Sequence, residues 1–379
     1  MSTNNENTTT QQWATTILKR IDEKMRVVNR RNENQIPYLV RDGHYNNMAT
    51  ENVSWWTNGF FAGSLWQLYH ATAETAYKDN ARKIEVLLDQ TFADYYGLQH
   101  DVGFMFLHSA VADYRLTGDE TARKRGLHAA DILAGRFNVN GNFIRSWNQP
   151  ERAGWTIVDS LMNISLLFWA TSETNDPRYQ EIGMRHADRL LECLVRSDDS
   201  VGHVATFDPQ TGEFLGLRGG QGYDAQSAWS RGQAWALYGY ALSYHHTKAQ
   251  RYLDAAKRIA HYYIANVSQE DYLSLVDFRA PYETKKYDSS AGLCAACGML
   301  EIADQVGEYE AGLYRHAAEK ILRATVDHWC YWDLNQDGIV GMVSHSYHQA
   351  AETHVKIVYG DYFLIEGILR LLNKSFLIW

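Results

Sequence analysis

Apolar residues in this chain fall into two kinds of helix-length segment that alternate along the sequence. Segments of the first kind are rich in Gly, Ala and aromatic residues and are apolar on nearly every side, as in residues 231–249, which predicts buried helices. Segments of the second kind keep their apolar residues on one face, as in residues 177–195, which predicts half-exposed helices. Copies of the apolar segment begin at Gly59, Gly103, Val158, Arg231, Asp288 and Gly360.

This alternation predicts the fold class. Six apolar segments, spaced roughly 45 to 70 residues apart, alternate with six amphipathic ones and fit an all-α fold, an (α/α)6 toroid of six helical hairpins with an inner and an outer ring. An open solenoid is the alternative, but no segment resembles a capping repeat. We expect a single domain over residues 1–379, with a flexible tail at residues 1–12, because no linker-like stretch interrupts the chain.

Composition narrows the function classes. The 379 residues include 36 Lys and Arg against 45 Asp and Glu, and the net charge of −9 argues against a general surface for nucleic acid or anionic membrane. The N-terminus is polar and lacks the features of a secretion signal, and no apolar run has the length of a membrane span. Four cysteines do not make a disulfide framework in a chain of this size. We therefore expect a cytoplasmic monomer or homodimer that binds neither nucleic acid nor membrane.

One carboxylate, Asp159, lies within an otherwise apolar stretch from Trp155 to Ala170, which we interpret as a nearly buried helix. Removal from water disfavours the charged form of a carboxyl group and should raise the pKa of Asp159, as a general acid near neutral pH requires. The alternative is that Asp159 caps the helix, because Asp is favoured at helix starts.

In a closed double ring, all inner helices begin at one mouth, so residues at their starts should meet in one cavity. These residues are His100, Asp101, Asp159, Arg231, Asp288 and Asp361. Aromatic residues expected near the rim are Trp56, Trp147, Trp155, Trp229, Trp235, Tyr223 and Tyr347. Aromatic walls suit stacking on sugar rings, and two carboxylates that raise one another's pKa suit acid–base chemistry. Packing in the core for each tryptophan, and capping for Asp101, remain the alternatives.

Other motifs carry weaker signals. Cys294 and Cys297 form a CAAC within small residues that predict buried thiols rather than a redox turn. Residues 332–341 copy the opening of a calcium loop but have Ser344 in place of the bidentate Glu, which favours a simple turn. Residues 217–224 predict a lid or binding loop. We expect no metal and no cofactor.

Five strings in the sequence resemble, in order, motifs of the unsaturated glucuronyl hydrolases, glycoside hydrolase family 88. They are HDVGF (100–104), GWTIVDSLMN (154–163), GGQGY with WSRGQAWALYG (219–239), DSSA (288–291) and SYH with YGDYF (346–363). The resemblance extends from about Trp55 to Leu372. It implies a six-hairpin toroid and hydrolysis, without metal, of a small unsaturated oligosaccharide that a polysaccharide lyase has generated, most of all a chondroitin- or hyaluronan-type disaccharide.

The resemblance also implies residue roles. Asp159 would be the general acid and base, which protonates C4 of the C4=C5 enol ether and then takes a proton from the water that adds at C5. Asp101 would be its essential partner. The sugar site would include Trp56, His203, Gln221, Arg231, Trp235 and Tyr347.

Three residues near the implied site either depart from the family pattern or have two alternative roles. Asn58 stands where relatives often have Asp, which puts one contact from that loop in doubt. Arg231 would hold negative charge on the substrate or, alternatively, pair with a core Asp. Lys356 lies in the segment where family members differ in handling sulfated sugars, and is a candidate sulfate contact or an ordinary exposed lysine.

Three rival functions remain open. An unsaturated rhamnogalacturonyl hydrolase would share the fold and reaction but act on pectin fragments. A sugar epimerase on the same type of toroid would depend on a histidine pair. A carbohydrate-binding or scaffold protein without catalysis would not need Asp159.

Overall fold

The computed structural model describes residues 2–379, with side chains described from residue 9 onwards. Most of the predicted tail at residues 1–12 therefore lies outside the described side chains, and its flexibility stays a prediction. The helices are α1 (Ser2–Arg31), α2 (Met48–Glu51), α3 (Phe60–Thr72), α4 (Thr75–Leu88), α5 (Gln90–Ala93), α6 (Val102–Phe106), α7 (Ala112–Thr117), α8 (Glu120–Ala134), α9 (Ser160–Asn163), α10 (Ser165–Thr174), α11 (Pro177–Leu194), α12 (Ser230–Thr247), α13 (Gln250–Val267), α14 (Ser289–Gln305), α15 (Glu308–Trp329) and α16 (Val358–Leu371).

The long helices form two concentric rings. The inner ring consists of α3, α6 with α7, α9 with α10, α12, α14 and α16, and a π-helical turn at Leu107–Val111 joins α6 to α7. Each of the outer helices α4, α8, α11, α13 and α15 packs on the inner helix that precedes it, while α1 packs on α16. Contacts between α16 and α3 close the ring. The predicted alternation of inner and outer helices is thus confirmed.

Burial follows the hydrophobic pattern from which the rings were predicted. All residues of α12 from Ser230 to Ser243 are buried, whereas α11 buries only one face, through Tyr179, Gly183, His186, Ala187, Leu190 and Leu194. The hairpin corners use ordinary helix-end chemistry. Gly118 ends α7 with φ +74°, and the Asp119 side chain accepts hydrogen bonds from Thr121 N and Ala122 N at the start of α8.

Three small sheets, which the sequence analysis did not predict, lie in the loops. Their strands are β1 (Pro37–Arg41), β2 (His44–Asn47), β3 (Phe137–Asn138), β4 (Phe143–Ile144), β5 (Trp155–Ile157), β6 (Val204–Phe207) and β7 (Phe214–Arg218). They pair as β1–β2, β3–β4 and β5–β6–β7, all antiparallel. The single helix predicted from Trp155 is therefore wrong at its start, because residues 155–157 pair with β6 and the helix begins only at Ser160.

The weaker motifs have structural roles. Cys294 and Cys297 are buried free thiols within α14, as predicted. The turn at residues 333–338 is stabilised by Asp337, which accepts hydrogen bonds from Arg31 Nη1 (2.5 Å) and Tyr45 N (3.0 Å). In the part of the chain that the structure describes, no helix combines the length and apolarity needed to cross a membrane.

Candidate active site

A cavity of about 430 Å³ opens where inner helices begin. Seven of the predicted residues line it: Trp56, Asp101, Trp147, Trp155, Asp159, His203 and Gln221. The three-stranded sheet brings three of them together, since Asp159 follows β5, His203 precedes β6 and Gln221 follows β7. A hydrogen bond from Val158 N to His203 O (3.0 Å) fixes the first two strands beside each other at this point.

Asp159 is buried at the start of α9 and does not cap the helix. Its side chain makes no capping hydrogen bond, and its Oδ2 has no hydrogen-bond partner among the described residues. Burial raises the pKa of Asp159 to about 7, while the positive charge of Arg231 acts in the opposite direction. The carboxyl group can therefore hold a proton near neutral pH, as the apolar sequence around it predicts.

His203 faces Asp159 as a neutral imidazole. Burial lowers its pKa to about 3. Gln221 N donates to His203 Nδ1 (2.9 Å), so the remaining proton of the ring is on Nε2, which lies 3.7 Å from Asp159 Oδ2. The glycine before Gln221 makes this possible, because a Cβ on Gly220 would lie 2.1 Å from His203 Nδ1. The glycine-rich segment thus lines the cavity and positions a histidine, and its role as a lid or binding loop stays a prediction.

Asp101 lies on a neighbouring inner helix start and is connected to Asp159 through Asn163. The Asn163 amide donates to Asp159 O (3.2 Å) and weakly to Asp101 Oδ1 (3.5 Å). Burial, and then the charge of Asp159 once it ionises, raise the pKa of Asp101 to about 8. Buried His100 lies behind it, with Nε2 3.3 Å from Asp101 Oδ2 and a pKa well below its usual range because of burial. Gly103 allows the two helix starts to approach, since its Cβ would lie 2.5 Å from Asn163 O.

Arg136 supports one wall of the cavity. Its guanidinium donates to Leu98 O (3.3 Å), Asn148 Oδ1 (2.8 Å) and Ser146 O (3.1 Å), and so ties together the two loops of that wall. No carboxylate among the described residues pairs with it. Its positive charge lowers the pKa of Asp101 and partly opposes the effect of burial.

A larger cavity of about 780 Å³ lies on the other side of this wall. Its lining includes Tyr95, Tyr96 and a single acidic residue, Asp131. That carboxylate already accepts hydrogen bonds from Arg178 (2.8 Å) and Tyr179 (2.7 Å). Because it offers no pair of buried acids, the larger cavity does not support acid–base chemistry, and we place the active site in the smaller one.

The aromatic wall agrees with prediction in part. Trp56, Trp147 and Trp155 line the cavity, with the rings of Trp147 and Trp155 6.2 Å apart. Trp235 does not line it. This side chain is fully buried and packs on Phe104 at a ring distance of 5.2 Å, which makes it a core residue.

The other predicted residues that lie outside the cavity lining are His100, Tyr223, Trp229, Arg231, Asp288, Tyr347, Lys356 and Asp361. Arg231 is fully buried, pairs with Asp288 and donates to Ser344 O and His345 O (both 2.6 Å), which matches the core alternative rather than substrate binding. Tyr347 supports the lining loop through a hydrogen bond from its backbone N to Gln221 O (2.7 Å).

Lys356 is not near the cavity lining. Its ammonium group is 3.3 Å from Asp337 O and lies over the Tyr331 ring at 4.8 Å. The last lining residue of this segment is His345, and Lys356 packs instead against the turn around Asp337. The structure therefore gives the predicted sulfate contact no support.

Several lining residues were not predicted: Asn52, Ser54, Gln99, Met105, Arg152, Val204 and His345. Met105 lies within α6 and Arg152 ends a short 3-10 turn, whereas the others lie in loops or, for Val204, in a short strand without helical periodicity. Proximity in sequence to the motifs was the available signal, because Gln99 precedes HDVGF and His345 precedes SYH. The described residues contain no group of three or more His, Cys, Asp or Glu side chains placed to hold a metal ion.

Known proteins are similar to this chain in sequence and in fold. The model of Glycosyl Hydrolase Family 88 matches residues 27–367. The unsaturated glucuronyl hydrolase of Bacillus sp. (strain GL1) is 36% identical over 342 residues, which cover 88% of this chain and 90% of that protein. The unsaturated chondroitin disaccharide hydrolase of Streptococcus pneumoniae is 33% identical over 333 residues, which cover 86% of this chain and 83% of that protein.

A solved structure gives the same result for the fold. A mutant of unsaturated glucuronyl hydrolase from Streptococcus agalactiae, complexed with dGlcA-GalNAc6S, superposes with a TM-score of 0.84 at 26% identity and covers 97% of this chain and 94% of that one. The predicted (α/α)6 toroid is thereby confirmed.

Proposed function

This chain belongs to glycosyl hydrolase family 88, and we propose that Asp159 is the acid and base of its reaction. The protein is a glycoside hydrolase that releases an unsaturated uronic acid from glycosaminoglycan-type oligosaccharides. Such a substrate carries a C4=C5 double bond conjugated with its carboxylate. Its hydrolysis needs a proton donor at C4 rather than a nucleophile at the anomeric carbon, which distinguishes it from ordinary glycoside displacement.

The reaction proceeds by hydration. Asp159 gives its proton to C4, and the ring oxygen stabilises the positive charge that develops at C5. Water adds at C5 while Asp159 takes one of its protons, which restores the neutral carboxyl group. The hemiketal formed at C5 opens to a ketone, and the hemiacetal left at C1 releases the neighbouring sugar as an alcohol.

One observation carries the assignment: Asp159 Oδ2 is buried in an aromatic-walled cavity without a hydrogen-bond donor. A carboxyl group in such surroundings keeps its proton, because the effect of burial on its pKa outweighs the opposing effects of the Arg231 charge and of its own backbone N–H. Asp101, held neutral by burial, does not add a second negative charge when Asp159 ionises. Neutral His203 points its Nε2 proton toward Asp159 and helps to orient the carboxyl group.

The test is the variant Asp159→Asn, assayed by the loss of absorbance of the conjugated double bond. The amide cannot donate or take the proton, so kcat should fall on the order of 10³-fold, while binding of the disaccharide and the melting temperature stay near those of the wild type. Asp131→Asn is the matched control, because Asp131 lines the other cavity. Equal activity in the wild type and Asp159→Asn, or an equal loss in Asp131→Asn, would refute the assignment.

The same assay separates the rival functions. Lyase-derived disaccharides from chondroitin, hyaluronan and pectin are compared as substrates. Faster loss of absorbance with a rhamnogalacturonan disaccharide would favour the pectin-directed activity. An epimerase would leave the absorbance unchanged, and a protein without catalysis would retain its sugar binding and show no turnover with any of them.

We also infer that residues 1–379 act as one catalytic domain, as a monomer or homodimer in the cytoplasm. One continuous core cluster, which extends from Ala14 to Trp379, supports the single domain. The free state of Cys193, Cys294, Cys297 and Cys330 suits a reducing compartment. The net charge of −9 supports the absence of nucleic-acid and membrane partners. Light scattering coupled to size-exclusion chromatography measures the oligomeric state.

A further inference from the structure

The cavity has one permanently charged basic residue in its lining, Arg152. The two histidines that also line it, His203 and His345, are neutral at pH 7, since burial lowers their pKa to about 3 and about 4. Arg231 is close, but its guanidinium is occupied by Asp288 and by main-chain carbonyls. Among the described lining residues, Arg152 is therefore the permanent positive charge that is available to an anionic group on a substrate.

Arg152 is held in place by aromatic rings rather than by a carboxylate. Its Cζ lies 5.1 Å from the ring centroid of Trp147 and 5.4 Å from that of Trp155. A second guanidinium, Arg218 at the end of β7, lies 4.7 Å from the same Trp155 ring. Two arginines therefore contact one indole at the edge of the cavity.

Neither arginine has an acidic partner among the described residues. Elsewhere on the surface of this acidic protein, arginines commonly pair with carboxylates, as Arg82 does with Asp113 (2.8 Å) and Arg251 with Asp188 (2.6 Å). A guanidinium with free donors beside a sugar-sized cavity is suited to binding an oxyanion such as a sulfate ester through two parallel hydrogen bonds.

The position of the pair indicates which part of a substrate it meets. Trp155, which both arginines contact, lies three residues before Val158, the residue next to Asp159. At the usual rise per residue of an extended strand, these three residues span about 10 Å. The carboxylate of the reacting uronic acid is attached to C5 and must lie next to Asp159. The charge that reaches Arg152 and Arg218 is therefore carried by the following sugar.

We propose that Arg152, assisted by Arg218, binds a sulfate ester on the sugar that follows the unsaturated uronic acid, and so sets a preference for sulfated disaccharides. This inference rests on the proposed function, because it assumes that the uronic acid binds at Asp159. It assigns to the edge formed by Trp147 and Trp155 the sulfate contact that sequence alone suggested for Lys356.

The experiment compares two disaccharides that differ only in one sulfate on the amino sugar. Arg152→Gln removes the charge and keeps a shorter polar side chain, and it should lower kcat/KM for the sulfated disaccharide about tenfold more than for the unsulfated one. Arg152→Lys should retain part of the preference. The double variant Arg152→Gln with Arg218→Gln should lose more of it than either single variant. Lys356→Gln, the matched control, should leave the ratio unchanged.

Salt dependence gives a second readout. In the wild type, KM for the sulfated disaccharide should rise with NaCl more steeply than KM for the unsulfated one, and Arg152→Gln should remove this difference. Equal losses on both substrates, or no loss on either, would overturn the proposal. A wild type that hydrolyses only the unsulfated disaccharide would also overturn it and leave the proposed function intact, whereas failure on both disaccharides would count against the function itself.

Discussion

Four aspartates lie at the starts of inner helices in this toroid, and they divide into two pairs. Asp288 and Asp361 are surrounded by donors. Asp288 pairs with Arg231 and accepts from Ser290 Oγ (2.6 Å), while Asp361 accepts from Ile339 N (2.9 Å), Val340 N (2.8 Å) and Tyr45 Oη (2.9 Å). Asp101 and Asp159 have comparable positions, but between them they have one weak side-chain donor, Asn163 at 3.5 Å.

This comparison shows that position and burial alone do not make a carboxylate catalytic. Donors stabilise the charged form of a buried carboxylate, and in Asp361 they oppose the rise in pKa that burial causes. Such a carboxylate serves the structure. A buried carboxylate without donors keeps its proton and can deliver it. The division also follows position, because Asp101 and Asp159 line the cavity, whereas Asp288 and Asp361 accept hydrogen bonds from the loop at residues 339–344.

The largest expected effect concerns stability. Asp288→Asn preserves the helix cap but leaves the fully buried guanidinium of Arg231 without its charge partner, and should lower the free energy of unfolding by about 3 to 5 kcal/mol. Asp159→Asn should lower it little, because no ion pair is lost. Urea denaturation of both variants measures the difference, and equal losses would show that donor number does not separate the two pairs.

The origin of these donors explains how far the sequence analysis could reach. The repeat pattern predicts that helix starts converge, and it correctly brings Asp101, Asp159, Trp56 and Trp147 to one cavity. It does not show which starts receive donors. Asp361 receives its donors from a loop, at Ile339 and Val340, and from β2, at Tyr45, and such segments have too few residues to show a period. Asp288 receives Arg231 from α12, and the periodicity of that helix does not show which neighbour its side chains meet.

Sequence periodicity also could not show that some predicted residues would lie outside the cavity lining. Arg231 and Trp235 are four residues apart on α12 and therefore share one face, which is directed at Asp288 and Phe363 in the core. A helix start can be predicted from periodicity, but the face that looks into the cavity depends on how the helix is rotated against its neighbours. For Arg231 the core alternative, which sequence left open, describes the contacts.

The next effect in size concerns turnover by the donor-poor pair. Asp101→Asn should lower kcat on the order of 10²-fold, because the amide changes the charge and proton content of the pair while the cavity keeps its shape. Its free energy of unfolding should stay close to that of the wild type. Asp361→Asn is the control from the donor-rich pair, and should show the reverse, with reduced stability and kcat within a few-fold of the wild type. Similar losses of kcat in both variants would contradict the distinction between the donor-poor and the donor-rich pair.

The smallest expected effect is the dependence of kcat/KM on pH. The direction of this change identifies the role of Asp101 and Asp159. Burial raises the pKa of Asp159 from 3.8 to about 7 and that of Asp101 to about 8. If the protonated form is active, kcat/KM should be level in mild acid and should fall about tenfold per pH unit above pH 7.

The protons bound to Asp159 and Asp101 also stabilise the folded state. This contribution is complete below the pKa of these groups in the unfolded chain, near 3.8, and is lost as the pH rises through about 7 and 8. Initial rates and urea unfolding between pH 5 and about pH 9 measure both trends, within the range where these carboxyl groups titrate. Asp361→Asn should keep the wild-type rate profile, because that side chain does not face the cavity. A rate that rises through pH 7 would mean that the ionised carboxylate is the active form, and the donor-poor pair would then act as a base from the start rather than as the acid that begins the reaction.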